Sequence, residues 1–400
     1  MRIRSLMVAT LVLAACGDAA RVTAPRGASD FARFVAIGTG LTMGEQGGGA
    51  VYESQIAAWP ARLAERVDAP FRVPAFKSPG CTPPLVAPLS LNRTLAGAAD
   101  ASAATCSGRL GTETLPANSV ALAGATAWDA LHTSPRSFVT QGTSLDKSRY
   151  PLILPSVQTQ LQAMQAQRPT LVAVELGAGE VERALQSGLV IPATSYTQQG
   201  AWTLMPASQF TPVFDSIADS VKATGAKAVF LGVPQLTLLP AWRTGDVLWQ
   251  ERAALVGYGV TVSGDCQASD NLVNTVAVLP ALAAAARSTG SAQSLSCADR
   301  PGEVDHILTA ADAALIAQTI TALNAAIKTA ADARGFAYVD VPLFSREIPF
   351  AAPSFTASGF FASDAPFGMA TSLDGMQPSA YGHELLADAV AAALNQKHGW

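Results

Sequence analysis

Four short segments of this chain combine glycine with polar residues at places where a parallel α/β fold builds its sites. Gly38–Gly44, Asn118–Thr126 and Glu175–Val181 each contain or follow a predicted strand, and Leu373–His383 leads into a predicted helix. The carboxyl ends of parallel strands meet at one edge of a sheet, so these segments can converge there. Acyl transfer at such an edge needs a nucleophile, a base, an acid that orients the base, and donors for an oxyanion.

The order and composition of the four segments resemble the SGNH hydrolases, also called GDSL esterases, along nearly all of the chain after its first residues. In that family a Gly-Asp-Ser-Leu sequence carries the nucleophilic serine. The matching residues here are Gly38, Thr39, Gly40 and Leu41. The second segment is similar to the family's strand that ends in an oxyanion-hole glycine, which here is Gly124.

The other two segments match the family's remaining motifs with substitutions. Gly179 stands where the family has its oxyanion asparagine, and Glu180 where it has an aspartate. In the last segment Asp374 keeps the acid position, but Gln377 replaces the histidine. The resemblance therefore implies a retained acid and oxyanion-hole or binding positions at Gly40, Gly124 and Gly179. It implies neither a serine nor a general base, since a glutamine cannot act as one near neutral pH. We expect the Gln377 amide to hydrogen-bond Asp374.

These substitutions favour a catalytically inactive, SGNH-like envelope protein that binds a lipid, a glycan or an ester in the former cleft. The alternative is an active esterase that uses Thr39, Thr42 or His383, and a third hypothesis is a structural envelope protein without a ligand. Glu175 and Glu180 could form a carboxylate pair, although a role for Glu180 near a helix start is the simpler prediction.

Other classes of site lack support in the sequence. The glycine-rich turn after the first strand is followed by neither the Lys-Ser/Thr of a P-loop nor a third glycine at Rossmann spacing. No cluster has metal-ligand spacing, and His132, His306 and His398 lie in predicted loops or at the terminus. We expect no cofactor and no metal.

The N-terminus has the pattern of a bacterial export signal. Arg2 and Arg4 precede an apolar stretch that is too short to span a membrane, and Leu13-Ala14-Ala15-Cys16 fits a lipobox. We predict a signal peptide over residues 1–16, lipidation of Cys16 as the membrane attachment, and a flexible tether over 17–32. Gly17 after the cysteine resembles lipoproteins sorted to the outer membrane, on its periplasmic or surface face.

The remaining chain, residues 33–397, is predicted to form a single domain. Hydrophobic residues make up 49% of the chain and charged residues 14%, which allows a large core. The net charge is −4, and no basic stretch suggests a nucleic-acid partner.

Four cysteines follow Cys16, two in each of two loop-like stretches. In an exported protein the simplest pairing is Cys81 with Cys106 and Cys266 with Cys297. Two other pairings are possible, and a zinc site is the competing interpretation, although no Cys-x-x-Cys spacing supports it.

Strands alternate with helices, which predicts a three-layer α/β/α sandwich of SGNH-hydrolase, flavodoxin-like type around a five-stranded, mostly parallel sheet. The predicted strands are Arg33–Gly38, Asn118–Leu122, Leu171–Leu176, Lys227–Val233 and Phe336–Val341.

Three helices are also predicted. One carries a stripe from Phe210 to Val221. A second carries a stripe from Ile316 to Ile327 behind a Thr309/Asp312 capping box, and the last runs from about Ala380 to Asn395. The stretches 69–117, 235–305 and 342–373 are rich in Pro, Gly and Ser, and they are predicted to be surface insertions.

Overall fold

The computed structural model describes residues 29–98, 106–137, 148–198, 202–341 and 352–400. The predicted signal peptide, Cys16 and most of the tether lie outside these residues. The end of the predicted tether is folded, because Asp30–Arg33 form a 3-10 helix whose Phe31 is buried against Phe34 and Trp400. The folded part therefore begins a few residues before the predicted boundary.

Twelve strands are described. They are β1 (Phe34–Gly38), β2 (Leu85–Val86), β3 (Arg93–Thr94), β4 (Gly97–Ala98), β5 (Leu171–Glu175), β6 (Lys227–Leu231), β7 (Trp242–Thr244), β8 (Val260–Val262), β9 (Leu272–Asn274), β10 (Gln293–Leu295), β11 (Ile307–Leu308) and β12 (Ala337–Val339).

The α-helices within the described residues are α1 (Gly40–Met43), α2 (Tyr52–Ile56), α3 (Trp59–Glu65), α4 (Ala127–His132), α5 (Tyr150–Ile153), α6 (Gln160–Ala166), α7 (Gly179–Ser187), α8 (Ala207–Ala223), α9 (Gly245–Gln250), α10 (Arg252–Leu255), α11 (Thr275–Thr289), α12 (Ala310–Arg334), α13 (Ala357–Ala362) and α14 (Ala380–His398).

The central sheet is parallel, with the strand order β1-β5-β6-β12. Its register places Gly38 beside Glu175 and Glu175 beside Leu231, so three strands end at one level. These are the buried, apolar strands that the sequence predicts, and the continuous burial of β1 and β5 is typical of a sheet covered on both faces.

The second predicted strand, Asn118–Leu122, is not a strand in the structure. Val120 and Leu122 donate backbone hydrogen bonds to Ala36 and Gly38, but only one bridge, between Ser119 and Ala36, forms beside β1. Pairing on one side over so short a stretch does not complete a ladder before the chain turns at Gly124, whose φ is +68°. The described sheet thus has four strands rather than five.

The predicted helices are present. Phe210, Phe214, Ile217 and Val221 of α8 are buried, and α12 begins with the predicted capping box, in which Thr309 Oγ1 accepts from Asp312 N–H. Helix α12 packs on α8, β6 and β12, while α14 packs on α3, β12 and β6. By length and composition α12 could also cross a membrane, but its buried stripe faces the rest of the fold.

The stretch 235–305 is more ordered than a surface insertion. It contains β7–β10 and α9–α11, and its buried apolar side chains form a second hydrophobic cluster together with α13. The cluster includes Leu248, Leu255, Val260 and Leu279. The apolar residues of this stretch are spaced closely enough to bury one another despite its many glycines and serines.

The cysteines pair as the sequence predicts, Cys81 with Cys106 and Cys266 with Cys297. Asp265, Cys266 and Cys297 are close enough to hold a metal ion, but both sulfurs are bonded to each other. Each disulfide closes a loop within its own stretch.

Candidate functional site

The turn after β1 is hydrogen-bonded to the buried carboxyl group of Glu175. Thr39 donates its backbone N–H to Glu175 Oε2 at 2.9 Å and its hydroxyl to Glu175 Oε1 at 2.8 Å. Gly38 N–H donates to Gln160 Oε1 at 3.0 Å. Burial raises the pKa of Glu175 to about 7, against the opposing effect of the Thr39 hydrogen bonds. The Thr39 hydroxyl is thereby hydrogen-bonded to Glu175 of β5, and Thr39 does not line the cleft.

A carboxylate lies over Gly40, the position that carries the serine in the family that the chain resembles. The single turn of α1 ends at Gly44, and the backbone N–H of Glu45 donates to Gly40 O at 2.9 Å, so the chain curls back on itself. A Cβ atom added to Gly40 would lie 2.1 Å from Glu45 Oε2. A side chain at residue 40 would therefore have to displace the Glu45 carboxylate.

An ion pair fixes that carboxylate. Arg149 Nη1 lies 2.5 Å from Glu45 Oε1, and both side chains are 8% exposed. Arg149 Nη2 also donates to Thr82 Oγ1, whose hydroxyl donates to Gly48 O at 2.7 Å. Glu45 Oε2 makes no hydrogen bond with any described residue, and Glu45 lines the cleft. The ion pair thus ties the turn after α1 to two distant loops and leaves one oxygen free.

Gly179 is required by a close approach of the backbone. A Cβ atom at this first residue of α7 would lie 2.2 Å from the carbonyl oxygen of Ala125, directly after the predicted oxyanion glycine Gly124. Both glycines line the cleft. An asparagine at 179, as in the family that the chain resembles, could not be accommodated without moving the backbone.

The Asp374 carboxylate accepts hydrogen bonds from its own loop and from Gly48. Its carboxylate accepts backbone N–H groups from Gly48 at 2.6 Å, Met376 at 2.7 Å and Gln377 at 2.8 Å, and also the Ser372 hydroxyl. Burial raises its pKa, and the hydrogen bonds oppose that effect. The expected bond from the Gln377 side-chain amide is wrong, because the backbone N–H of Gln377 is the donor and its side chain extends into the cleft.

These elements enclose a polar cleft of about 420 Å³ at the carboxyl end of the sheet. Its walls carry carboxylate, guanidinium, amide and hydroxyl groups. The lining residues are Glu45, Gly48, Thr82, Ala123, Gly124, Arg149, Gly179, Glu182, Arg183, Gln186, Asp374, Met376 and Gln377.

Two charged side chains of α7 face this cleft. The half-buried Glu182 accepts from Gln186 Nε2 at 2.9 Å. Its pKa is raised to about 7 by burial and then by the negative charge of Glu45, with Arg149 opposing both. The Arg183 guanidinium lies 4.5 Å from the centre of the Trp202 ring, and its pKa is lowered by burial. The cleft therefore holds two carboxyl groups whose surroundings differ.

Several candidates from the sequence do not reach the cleft. Thr39, Thr42 and His383 are buried and are absent from its lining. Burial lowers the pKa of His383 to about 3, so its ring is neutral. Glu180 accepts from Ala127 N–H at 2.7 Å at the start of α4 and from the Tyr196 hydroxyl at 2.7 Å. Glu180 therefore accepts a hydrogen bond at the start of α4 rather than at the start of its own helix, α7. It does not pair with Glu175.

The other three histidines contact residues outside the cleft or at its edge. The His132 ring packs on Trp128, His306 Nδ1 contacts Gln186 O at 2.6 Å, and His398 packs on Trp400. None of the three lines the cleft.

Sequence reasoning missed the four side chains that dominate the cleft. Glu45, Arg149, Glu182 and Arg183 belong to no motif of the resembling family. One signal was available for Glu182 and Arg183, which lie three and four residues after Gly179 and so share one face of the helix that begins there.

Comparisons with known proteins give a distant structural likeness. No family model matches the chain, and no curated protein matches it. Among solved structures it is similar to phospholipase A1 from Streptomyces albidoflavus NA297, with 14% identity and a TM-score of 0.35, and to an extracellular lipase from Streptomyces rimosus, with 14% identity and a TM-score of 0.36. Each comparison covers 91% of this chain and 98% of the other. Likenesses of this size leave family, substrate and activity open.

The clash at residue 40 gives a first prediction. Gly40→Ala should destabilise the protein by about 1–3 kcal/mol, because the new methyl group must displace a carboxylate held by Arg149. In a Glu45→Ala background the same change should cost close to nothing. Urea unfolding of the two single variants and the double variant gives the coupling energy. Equal costs of Gly40→Ala in both backgrounds would show that Glu45 does not occupy this position.

The raised carboxyl pKa values give a second prediction. Glu175 and Glu180 have pKa values of about 7 in the folded protein, above the ordinary 4.5. Their neutral forms favour folding fully below pH 4.5, and this contribution is lost between pH 4.5 and about 7. Each group should lower the free energy of unfolding by about 2–4 kcal/mol across that window. Glu180→Gln and Glu175→Gln should remove part of this decline, measured by urea unfolding at pH 5 and pH 8.5.

The exposed Glu384 on α14 provides the matched control, as Glu384→Gln should leave the pH dependence unchanged. The assignment would be contradicted if the free energy of unfolding of wild type did not fall from pH 5 to pH 8.5, or if it changed in the same way in Glu180→Gln and Glu175→Gln.

Proposed function

We propose that this protein is an SGNH-like envelope lipoprotein that binds a hydroxyl-rich ligand, a glycan, in the polar cleft and does not hydrolyse esters through a serine triad. The observation that carries the proposal is the Glu45 carboxylate over Gly40, paired with Arg149. A nucleophilic side chain at this position would collide with a buried ion pair.

The chemistry of the lining favours a glycan over a lipid or an ester with a long acyl chain. Glu45, Glu182, Gln186 and Gln377 offer acceptors and amide donors, and Arg183 offers N–H donors. An acyl chain placed there would remove water from charged groups without replacing their hydrogen bonds, which costs free energy. Sugar hydroxyl groups, each a donor and an acceptor, can replace that water.

The cellular placement is part of the same proposal. The two disulfides are typical of an oxidising compartment, the lipobox supplies an attachment at Cys16, and the Gly17 that follows suggests the outer membrane. The retained order of the four motif segments supports a three-layer SGNH-type ancestry. Lipidation of Cys16 is tested by metabolic labelling with palmitate and by the release of Cys16→Ser from the membrane fraction.

Glycan binding gives a third prediction. Titration calorimetry with tetrasaccharides of N-acetylglucosamine, glucose and xylose should give saturable binding of at least one. Gln377→Ala should weaken it about 3- to 10-fold, the size expected for one lost hydrogen bond. The Gln377 side chain makes no hydrogen bond with the described residues, so the fold should be unaffected.

The control is Gln165→Ala, which removes an exposed glutamine from α6. No binding of any tetrasaccharide, or equal binding by wild type and Gln377→Ala, would remove the support for a glycan in the cleft.

A fourth prediction concerns esters. Purified protein should release no p-nitrophenol from p-nitrophenyl acetate or butyrate above a heat-denatured sample, and a fluorophosphonate probe should label no residue. The reason is that neither a serine nor an accessible histidine faces the cleft among the described residues. Ester turnover together with stoichiometric labelling of one hydroxyl side chain would make the alternative, an unusual esterase, the correct interpretation.

A further inference from the structure

The cleft places two carboxyl groups in opposite electrostatic settings, and the glycan-binding proposal does not by itself explain that difference. Glu45 Oε1 is 2.5 Å from the Arg149 guanidinium, so the two side chains form an ion pair. Among the described residues, Glu182 hydrogen-bonds the neutral Gln186 side-chain amide instead of a guanidinium. Both line the same cavity.

We propose that Glu182 and Glu45 form an acid and base pair that hydrolyses a glycosidic bond of a saccharide held in this cleft. This rests on the proposed glycan binding and adds a reaction to it. Pairs of carboxyl groups on either side of the scissile bond are sufficient for this chemistry without a metal, a cofactor or a nucleophilic hydroxyl.

The roles follow from the surroundings of each group. The pKa of Glu182 is raised to about 7, so it carries a proton to donate near neutral pH. Glu45 Oε2 has no hydrogen-bond partner among the described residues, although the Glu45 side chain is nine-tenths buried, and Glu45 lines the cleft. A carboxylate with one oxygen paired to a guanidinium and the other without a hydrogen bond is suited to accept a proton from water.

The step balances with water as the only co-reactant. Glu182 transfers its proton to the glycosidic oxygen as the bond from that oxygen to the anomeric carbon breaks. The oxygen of a water molecule bonds to the anomeric carbon, and Glu45 Oε2 takes a proton from that water. Loss of the Glu45 proton to solvent and gain of one by Glu182 return the site to its starting state.

The other acidic side chain in the cleft is not equivalent. Asp374 already accepts three backbone N–H groups and one hydroxyl, from its own loop and from Gly48, so its carboxylate is already used in structural hydrogen bonds. Arg183 is positioned by Trp202 beside Glu182, where it can bind the departing sugar's hydroxyl groups.

The test incubates full-length mature protein at pH 6 with the tetrasaccharide that binds most tightly in calorimetry, and with a panel of 4-nitrophenyl glycosides. Products are measured by mass spectrometry. We expect shortened oligosaccharides or released nitrophenol, with a rate that falls as the pH rises past about 7 because Glu182 then loses its proton. Glu182→Gln and Glu45→Gln should each lower the rate at least 100-fold, while Glu384→Gln should retain it.

Both variants keep an oxygen that can accept a hydrogen bond, and binding of the same tetrasaccharide reports whether each is folded. Binding without turnover by wild type overturns the hydrolytic inference and leaves the glycan-binding proposal standing. Turnover that survives both Glu182→Gln and Glu45→Gln overturns the assignment of the pair. Neither binding nor turnover with any probe removes both proposals.

Discussion

The buried ion pair between Glu45 and Arg149 is the interaction on which the cleft depends. Removing two charges from water is costly, and it is offset only when each charge finds its partner with good geometry. The pair meets that condition by joining the turn after α1 to the start of α5, while Arg149 also reaches Thr82 on a third segment. Loss of either charge would leave the other buried alone, so the three segments are constrained to move together. Asp374 extends the constraint by accepting the Gly48 N–H, which brings the segment before α14 to the same turn.

This arrangement gives a structural reason for the two glycines singled out by the resemblance. In the sequence analysis, Gly40 and Gly179 are positions where the resembling family has a serine and an asparagine. In the structure each is a position where a Cβ atom would overlap another group, a carboxylate oxygen at 2.1 Å and a backbone carbonyl at 2.2 Å. The first neighbour is a side chain and could shift at a cost, but the second is backbone. A side chain at residue 40 would therefore require the Glu45 side chain to move, and one at residue 179 would require the backbone to move.

The sequence predicted most of the central sheet and its helices because local signals and burial agree there. Continuous apolar runs predicted β1, β5 and β6, and the Thr309/Asp312 capping box predicted the start of α12. It failed where stability comes from distant contacts. The stretch 235–305 has weak local periodicity, and its order depends on apolar contacts with α13 far along the chain. Glu45 and Arg149 are 104 residues apart, and no spacing rule brings them together.

One small cleft holds carboxyl groups in different electrostatic surroundings. Glu45 has a cation at hydrogen-bond distance, whereas Glu182 lies near the same Arg149 but is affected more strongly by the charge of Glu45. Burial is the largest cause of the raised pKa of Glu182, and the negative charge of Glu45 adds to it, because a second negative charge nearby is unfavourable. A ligand that displaces water from the cleft strengthens this effect, since the interaction between the two carboxyl groups is then less screened. The Glu45 carboxylate thus restricts the side chain at residue 40 and also contributes to the surroundings of Glu182.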